Sequence, residues 1–309
     1  MRYIVRSVCC FMLSAGIATA QSASEPREAL LVSTAWLAQH LNDRDLVVLF
    51  VGDDNEYNKA HIPGTYNVQM EDMVANDTSS TGLSVQLLPP EQLSERLGAF
   101  GITPRSRIVV TGGRGFQEWA SRVMLTLDYA GLGNRASLLD GGTAAWAKEN
   151  RPMTDVVPAK HRSTLGVLET KPVVVTADYV KAHIGTPGVV IVDARAAAFY
   201  DGVSTGGGRA RPHRTGHIAG AKNIPYSSLF NENSLRPTPE LRSIFTAAGV
   251  APTDTVVAYC HIGVQATAVL LAARVLGHPV RFYDGSFEDW SRQPPAEYPV
   301  EKSLGREKP

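Results

Sequence analysis

Hydrophobic positions along the chain fall into short β-branched runs that alternate with longer stretches of helical periodicity. In the first half the pattern predicts strands at Val47–Val51, Ile108–Val110 and Ser137–Leu139, and helices at Thr34–Leu41, Pro90–Phe100 and Gln117–Tyr129. The second half gives strands at Val189–Val192, Thr255–Tyr259 and Val280–Tyr283, and helices at Thr176–His183, Glu240–Ala248 and Ala266–Leu276. Apolar strands separated by helices are typical of buried parallel sheets. The predicted fold class is therefore α/β, with a small, mostly parallel sheet and helices on both of its faces in each half.

The sequence contains an internal repeat, with the same pattern in each half. Thr-Ala-Trp-Leu, a Val-rich strand, His-Ile-Pro-Gly, a second strand and an Asp-Gly pair with a later tryptophan occur in the first half, and the second half answers each segment in the same order. The period of about 145 residues is the size of a domain. We predict similar domains at residues 28–150 and 173–300, joined by a proline-containing linker at residues 151–172.

The first twenty residues have the features of a secretory signal. Arg2 and Arg6 form a basic start, residues 7–17 are an apolar stretch too short to span a bilayer, and residues 18–20 fit an A-x-A cleavage site. We expect this signal peptide to be removed, leaving Gln21 as the new N-terminus of an exported, periplasmic protein. An uncleaved anchor is the alternative. No later apolar run is long enough for a membrane span, so no membrane association is expected after cleavage.

Composition and charge narrow the function classes. Thirty Lys and Arg residues balance thirty Asp and Glu residues without a basic run, which argues against a nucleic-acid partner. Cleavage of the signal would remove Cys9 and Cys10, so the mature chain would keep Cys260 alone and form no internal disulfide. The histidines are scattered and Cys260 adjoins His261 directly, so neither a metal site nor a cofactor is expected.

The candidate chemistry centres on the segment around Cys260. A predicted strand ends at Tyr259 and a helix begins near Ala266, which places Cys260 at the carboxyl edge of the sheet, where α/β proteins bind ligands. A loop in this position directs backbone N–H groups inward, and Gly263 permits a positive φ, so an anion-binding nest is expected. The helix N-terminus would also favour the thiolate over the thiol. An inert buried cysteine is the alternative.

In these segments the chain resembles the two-domain rhodanese family of sulfurtransferases. The resemblance rests on the tandem repeat, the His-Ile-x-Gly turns, the Cys-x-x-Gly-Val loop at residues 260–264 and the Asp-Gly-Ser-x-x-x-Trp segment at residues 284–290. It implies tandem rhodanese-like domains with a non-catalytic first copy and a catalytic second copy. The first-copy position that matches Cys260 is Gly112, which has no side chain to act as a nucleophile.

The resemblance implies an enzyme, a thiosulfate sulfurtransferase. Cys260 would attack the outer sulfur of thiosulfate, expel sulfite and keep a persulfide, which a small acceptor such as cyanide or a thiol then removes. A protein thiol is a possible acceptor as well. The negative sulfur would be stabilised by the backbone N–H groups of five substrate-binding residues: His261, Ile262, Gly263, Val264 and Gln265.

Arg195 is a further substrate-binding candidate. The segment Asp193-Ala194-Arg195 matches the family's Asp-x-Arg, whose arginine is implied to position an anionic substrate, while a structural salt bridge to Asp193 is the alternative. The corresponding first-copy positions are Val51 and Asp53, so this cation is absent there. A Gly- and Arg-rich insertion follows. It implies a second substrate-facing arginine among Arg209, Arg211 and Arg214, and a solvated loop is the alternative reading.

Three other functions would place different requirements on these residues. A cysteine phosphatase needs an arginine six residues after the cysteine, where this chain has Ala266. A 3-mercaptopyruvate sulfurtransferase remains open, because His261 and Ile262 match neither the basic nor the Gly-Ser version of the loop. Arg195 and a partly protonated His261 favour thiosulfate. A non-enzymatic persulfide carrier or redox sensor with an exposed thiol is the third alternative.

Overall fold

A computed structural model describes residues 26–79, 81–159, 161–207 and 213–303. The predicted signal segment and its cysteines therefore lie outside the described residues, and so do Arg209 and Arg211. No helix in these described ranges is both long and apolar enough to cross a membrane. The chain folds into two α/β units, each built on a five-stranded sheet.

The first unit contains the following helices and strands in chain order: α1 (Pro26–Leu30), β1 (Leu31–Val32), α2 (Thr34–His40), β2 (Leu46–Val51), α3 (Asp54–Lys59), β3 (Thr65–Asn67), β4 (Val74–Ala75), β5 (Gln86–Leu87), α4 (Pro90–Ala99), β6 (Arg107–Gly112), α5 (Gln117–Tyr129), β7 (Ala136–Leu139) and α6 (Gly142–Lys148). The second unit contains β8 (Val174–Val175), α7 (Ala177–Ala182), β9 (Val189–Asp193), α8 (Ala197–Tyr200), β10 (His217–Ile218), β11 (Lys222–Asn223), β12 (Phe230–Asn231), β13 (Ser234–Leu235), α9 (Thr238–Ala247), β14 (Thr255–Tyr259), α10 (Gln265–Val275), β15 (Val280–Tyr283), α11 (Ser286–Trp290) and β16 (Val300–Glu301).

The two sheets have the same topology. The strand orders are β1-β7-β6-β2-β3 and β8-β15-β14-β9-β11, and every pair within them is parallel. The central strands are buried along nearly their whole length, as the apolar runs required. The predicted α/β fold class, with a similar, mostly parallel sheet in each of two units, is confirmed.

Helix and strand ends differ from the predicted ones by one or two residues at most, for local reasons. Thr176 is the N-cap of α7 rather than its first residue, because its side chain accepts a hydrogen bond from the Tyr179 N–H. Helix α9 begins earlier than predicted, at Thr238, with a proline in its first turn. The two- and three-residue strands at the sheet edges and the hairpins β4–β5 and β12–β13 were not predicted, since such short segments carry no periodicity.

One continuous hydrophobic core joins the two units. Helices α5 and α10 pack against each other and each also packs on its own sheet. Buried side chains from both units belong to the same cluster, among them Leu49, Val110, Leu127, Val256 and Leu270. The loop that leads into α10 therefore lies beside the junction between the units.

The hairpin of each unit reaches across to the other unit. The Leu87 N–H in β5 donates to Asp284 Oδ2 at 2.8 Å, and the Leu235 N–H in β13 donates to Asp140 Oδ1 at 3.2 Å. Both aspartates belong to the repeated Asp-Gly segment that follows the sheet strand. The contacts are thus reciprocal, as expected for two similar units related by an approximate two-fold axis.

The shared core predicts that damage in one unit destabilises both. Leu127→Ala removes a fully buried side chain from α5 and should lower the free energy of unfolding by about 3 kcal/mol. Hydrogen exchange followed by mass spectrometry should show faster exchange in β6 and equally in β14. Val167→Ala, at a side chain that is 96% exposed, is the control and should change neither. Faster exchange confined to the first unit would contradict the shared core.

Candidate functional site

Cys260 lies directly after the central strand β14 and is only 1% exposed. The prediction of an exposed thiol, which the carrier or sensor alternative requires, is therefore wrong. The burial follows from position, since β14 has neighbouring strands on both sides and the following loop leads into α10. The thiol is therefore enclosed by the sheet and by the start of α10.

The backbone of Cys260 is fixed by the Asp-Gly-Ser turn after β15. The Cys260 N–H donates to Ser286 Oγ at 3.1 Å, and its carbonyl accepts from the Phe287 N–H at 3.0 Å. Ser286 Oγ itself donates to the Tyr283 carbonyl at 2.9 Å. Ser286 has a φ of 53°, a left-handed conformation that costs free energy in a residue other than glycine.

Ser286 was not singled out in the sequence. The sequence feature that could have indicated Ser286 is a difference between the two units. The first unit has Gly142 at this position, with a φ of 59°. The same comparison distinguishes Gly112 from Cys260. Serine therefore occupies a position where the backbone favours glycine, and its hydroxyl holds the backbone of the cysteine.

The predicted amide donors are free of partners within the described residues. The N–H groups of His261 through Gln265 donate to none of these residues, and Val264 is the N-cap of α10 without a side-chain cap. Gly263 has a φ of 83°, the conformation that the predicted nest requires. A run of unsatisfied amides at the start of a helix is suited to an anion or a negatively charged sulfur.

The Arg195 guanidinium forms a buried salt bridge with Asp193. Arg195 Nη2 donates to Asp193 Oδ2 at 2.6 Å, its Nε donates to both carboxylate oxygens, and Nη2 also donates to the Gly216 carbonyl at 2.7 Å. This geometry is that of a structural ion pair, which the sequence analysis gave as the alternative to substrate binding by Arg195.

Arg195 nevertheless acts electrostatically on the site. Burial opposes its charge, but Asp193, Tyr259 and Cys260 together raise its pKa. The Arg195 guanidinium and the Cys260 side chain are therefore within electrostatic reach of each other. Arg195 also lies over the Phe287 ring, 4.0 Å from its centroid, which fixes its orientation.

His261 forms a neutral pair with His213. Burial lowers the pKa of His261 to about 4, with Arg195 and His213 adding to the effect. Burial and then Arg195 lower the pKa of His213 to about 4 as well. Their Nδ1 atoms are 3.5 Å apart, and the His261 ring meets the Phe199 ring edge to face. The partial protonation expected for His261 is therefore wrong, because the enclosed site disfavours the imidazolium.

The remaining predicted residues have separate places. Ile262 is partly buried against the shared core, and the Gln265 Oε1 atom is buried without a partner in the described part of the chain. Arg214 donates to the carbonyls of Trp290 and Tyr298 and so holds the C-terminal segment. No group of three or more His, Cys, Asp or Glu side chains suited to a metal occurs among the described residues.

The first unit contributes a side chain to the site that sequence reasoning missed. Arg122, on α5, is completely buried, and its Nη1 donates to the Gly263 carbonyl at 3.0 Å and to Asp284 Oδ1 at 2.7 Å. Its Nη2 donates to the Val85 carbonyl at 2.8 Å. The available signal was again a difference between the copies, since the matching residue of α10 is Leu270.

Comparisons with known proteins agree with this arrangement. The rhodanese family, described as "Rhodanese-like domain", matches residues 33–149 and again residues 176–293. A thiosulfate sulfurtransferase of Azotobacter vinelandii is 27% identical, covering 88% of this chain and 97% of the relative. A 3-mercaptopyruvate sulfurtransferase of Escherichia coli K12 is 30% identical, covering 87% and 97%. The crystal structure of SseA from Escherichia coli, a 3-mercaptopyruvate sulfotransferase, superposes with a TM-score of 0.73 at 27% identity, covering 84% of this chain and 98% of SseA.

The neutral histidine pair predicts a pH dependence of stability. In the unfolded chain both imidazoles take up a proton near pH 6.5, but in the folded protein only near pH 4. Protons therefore favour unfolding in this window, and the contribution of the pair is complete above pH 6.5 and lost on acidification. The free energy of unfolding should fall between pH 6.5 and 4 by on the order of 2 kcal/mol more than in the double variant His213→Gln/His261→Gln. Parallel pH curves would contradict neutral histidines.

Proposed function

Because the chain belongs to the rhodanese family and is a two-domain sulfurtransferase, we propose that its sulfur donor is thiosulfate and that Cys260 carries the sulfur as a persulfide. The observation that carries the proposal is the placement of a buried cysteine directly before five backbone N–H groups without described partners. The matching Gly112 leaves the first domain without a nucleophile, so the proposal gives each chain a single reaction centre.

The proposed reaction has two displacement steps. The Cys260 thiolate attacks the outer sulfur of thiosulfate, so that a new sulfur–sulfur bond forms while the bond to the sulfonate sulfur breaks. Sulfite leaves with the bonding electron pair, and the negative charge on Cys260 moves to the outer atom of the persulfide. Cyanide or a small thiolate then attacks that atom, and Cys260 is released as a thiolate.

Charge and space around Cys260 favour a small inorganic donor. The loop amides supply hydrogen-bond donors for the negative charge of thiosulfate and of the persulfide that it leaves on Cys260. His261 is neutral at pH 7 and fills the position after the cysteine. The burial of Cys260 also disfavours a bulky protein partner as the acceptor.

Intact-mass analysis tests the chemistry. The wild-type chain treated with thiosulfate should gain the mass of one sulfur atom and lose it again on addition of cyanide, with thiocyanate as the product. Cys260→Ser should gain nothing, because a serine hydroxyl does not hold a persulfide.

The donor is tested by steady-state kinetics, in which kcat/KM should be higher for thiosulfate than for 3-mercaptopyruvate. The reverse order would refute thiosulfate as the donor while leaving sulfur transfer intact.

We further propose that the reaction takes place outside the cytoplasm, after cleavage of the segment before Gln21. The basic start, the short apolar stretch and the small residues at 18–20 support this location. Mass spectrometry of the protein recovered from the periplasmic fraction should identify Gln21 as its first residue. Substitution of Ala20 by a bulky residue should block processing, and an unprocessed cytoplasmic wild-type chain would overturn the proposal.

A further inference from the structure

We propose that Arg122, a first-domain residue, is a positioning residue for the sulfur-binding loop of the second domain. The inference rests on the proposed function, because it assigns Arg122 to the amides that would bind the negative sulfur. Arg122 touches neither the substrate nor Cys260 in this account. It acts through the peptide between Gly263 and Val264.

The peptide geometry supplies the first argument. The Gly263 carbonyl accepts a hydrogen bond from Arg122 Nη1 at 3.0 Å. In a trans peptide the carbonyl and the following N–H point in opposite directions, and no cis peptide occurs among the described residues. Anchoring the carbonyl on the side of Arg122 therefore turns the Val264 N–H away from it. That N–H donates to no described residue, so it is available to the site. A charged donor on the carbonyl also polarises the peptide and strengthens its N–H.

The close fit supplies the second argument. A Cβ atom at Gly263 would lie 2.8 Å from the Asp284 carbonyl oxygen and 3.1 Å from Arg122 Nη1. The contact with the Asp284 carbonyl leaves no room for a side chain, and the φ of 83° is unfavourable for residues other than glycine. Glycine therefore lets the loop pack against Asp284, whose carboxylate Arg122 also binds.

Asymmetry between the domains supplies the third argument. Helices α5 and α10 both start with a glutamine, and this alignment places Leu270 opposite Arg122. The aspartate that matches Asp284, Asp140, takes its cation from Arg27 instead. Arg27 donates to the carbonyls of Leu235 and Arg236, neither of which belongs to a cysteine loop. A completely buried arginine is costly to maintain, and it occurs on the side of the molecule that carries the cysteine.

Arg122→Lys is the most informative variant. Lysine keeps a positive charge beside Asp284, but its single nitrogen replaces a fork that reaches Gly263, Asp284 and Val85 together. We expect single-turnover sulfite release and kcat to fall about 10- to 100-fold, with a smaller change in KM, because the amide acts on charge that develops as the persulfide forms. Assays run well below the thermal midpoint of each variant separate this loss from unfolding.

Two further variants make the outcome decisive. The double variant Arg122→Met/Asp284→Asn removes both charges together, so that no unpaired buried charge remains, and it should show the same loss of kcat. Arg27→Lys changes the equivalent domain-bridging arginine and should lower stability while keeping kcat within about twofold of wild type. Unchanged kcat in both Arg122 variants, or an equal loss in Arg27→Lys, would overturn the positioning role.

The two proposals fail in distinguishable ways. If wild type gains no sulfur from thiosulfate, the proposed donor is wrong, and the same variants are compared with 3-mercaptopyruvate as the donor. If wild type is loaded by either donor and the Arg122 variants are loaded equally fast, the inference about Arg122 is wrong while the function stands.

Discussion

The packing of α5 against α10 is the interaction on which the rest of the structure depends. Each helix covers its own sheet on one side and meets the other helix on the opposite side. Apolar side chains from the facing sides of both domains therefore form one cluster, and the loop that begins α10 lies at the domain boundary. The loop after Cys260 is therefore held from both domains, because Arg122 of the first domain donates to the Gly263 carbonyl.

Burial is the second constraint on the site. A nearly inaccessible thiol, two neutral imidazoles and an arginine already paired with a carboxylate leave little mobile charge around Cys260. Negative charge on sulfur must then be met by fixed dipoles, and backbone amides provide these without adding net charge. The surrounding hydrogen bonds fix these dipoles in place, because Ser286, Phe287 and Arg122 hold backbone groups of the loop.

The sequence was sufficient for features that depend on local pattern. The tandem α/β units, the central strands and the helices such as α5 followed from apolar runs and periodicity, and the cysteine loop followed from its place between β14 and α10. The protonation of His261 could not be predicted, since it depends on enclosure by Phe199 and His213 from distant segments. Arg122 was missed for a related reason. Its partners are Val85, Gly263 and Asp284, which only the docking of the two domains brings together.

The reciprocal hairpins have a consequence for the roles of the two units. Exchanged contacts of the same kind in both directions are what a symmetric homodimer makes across its axis. The present arrangement is thus the one that two copies of a single unit would form as a symmetric dimer. Because both units lie in one chain, each always has its partner, and only one of them needs the thiol. Gly112 and Cys260 therefore mark a division of roles, in which the first unit supports the loop of the second.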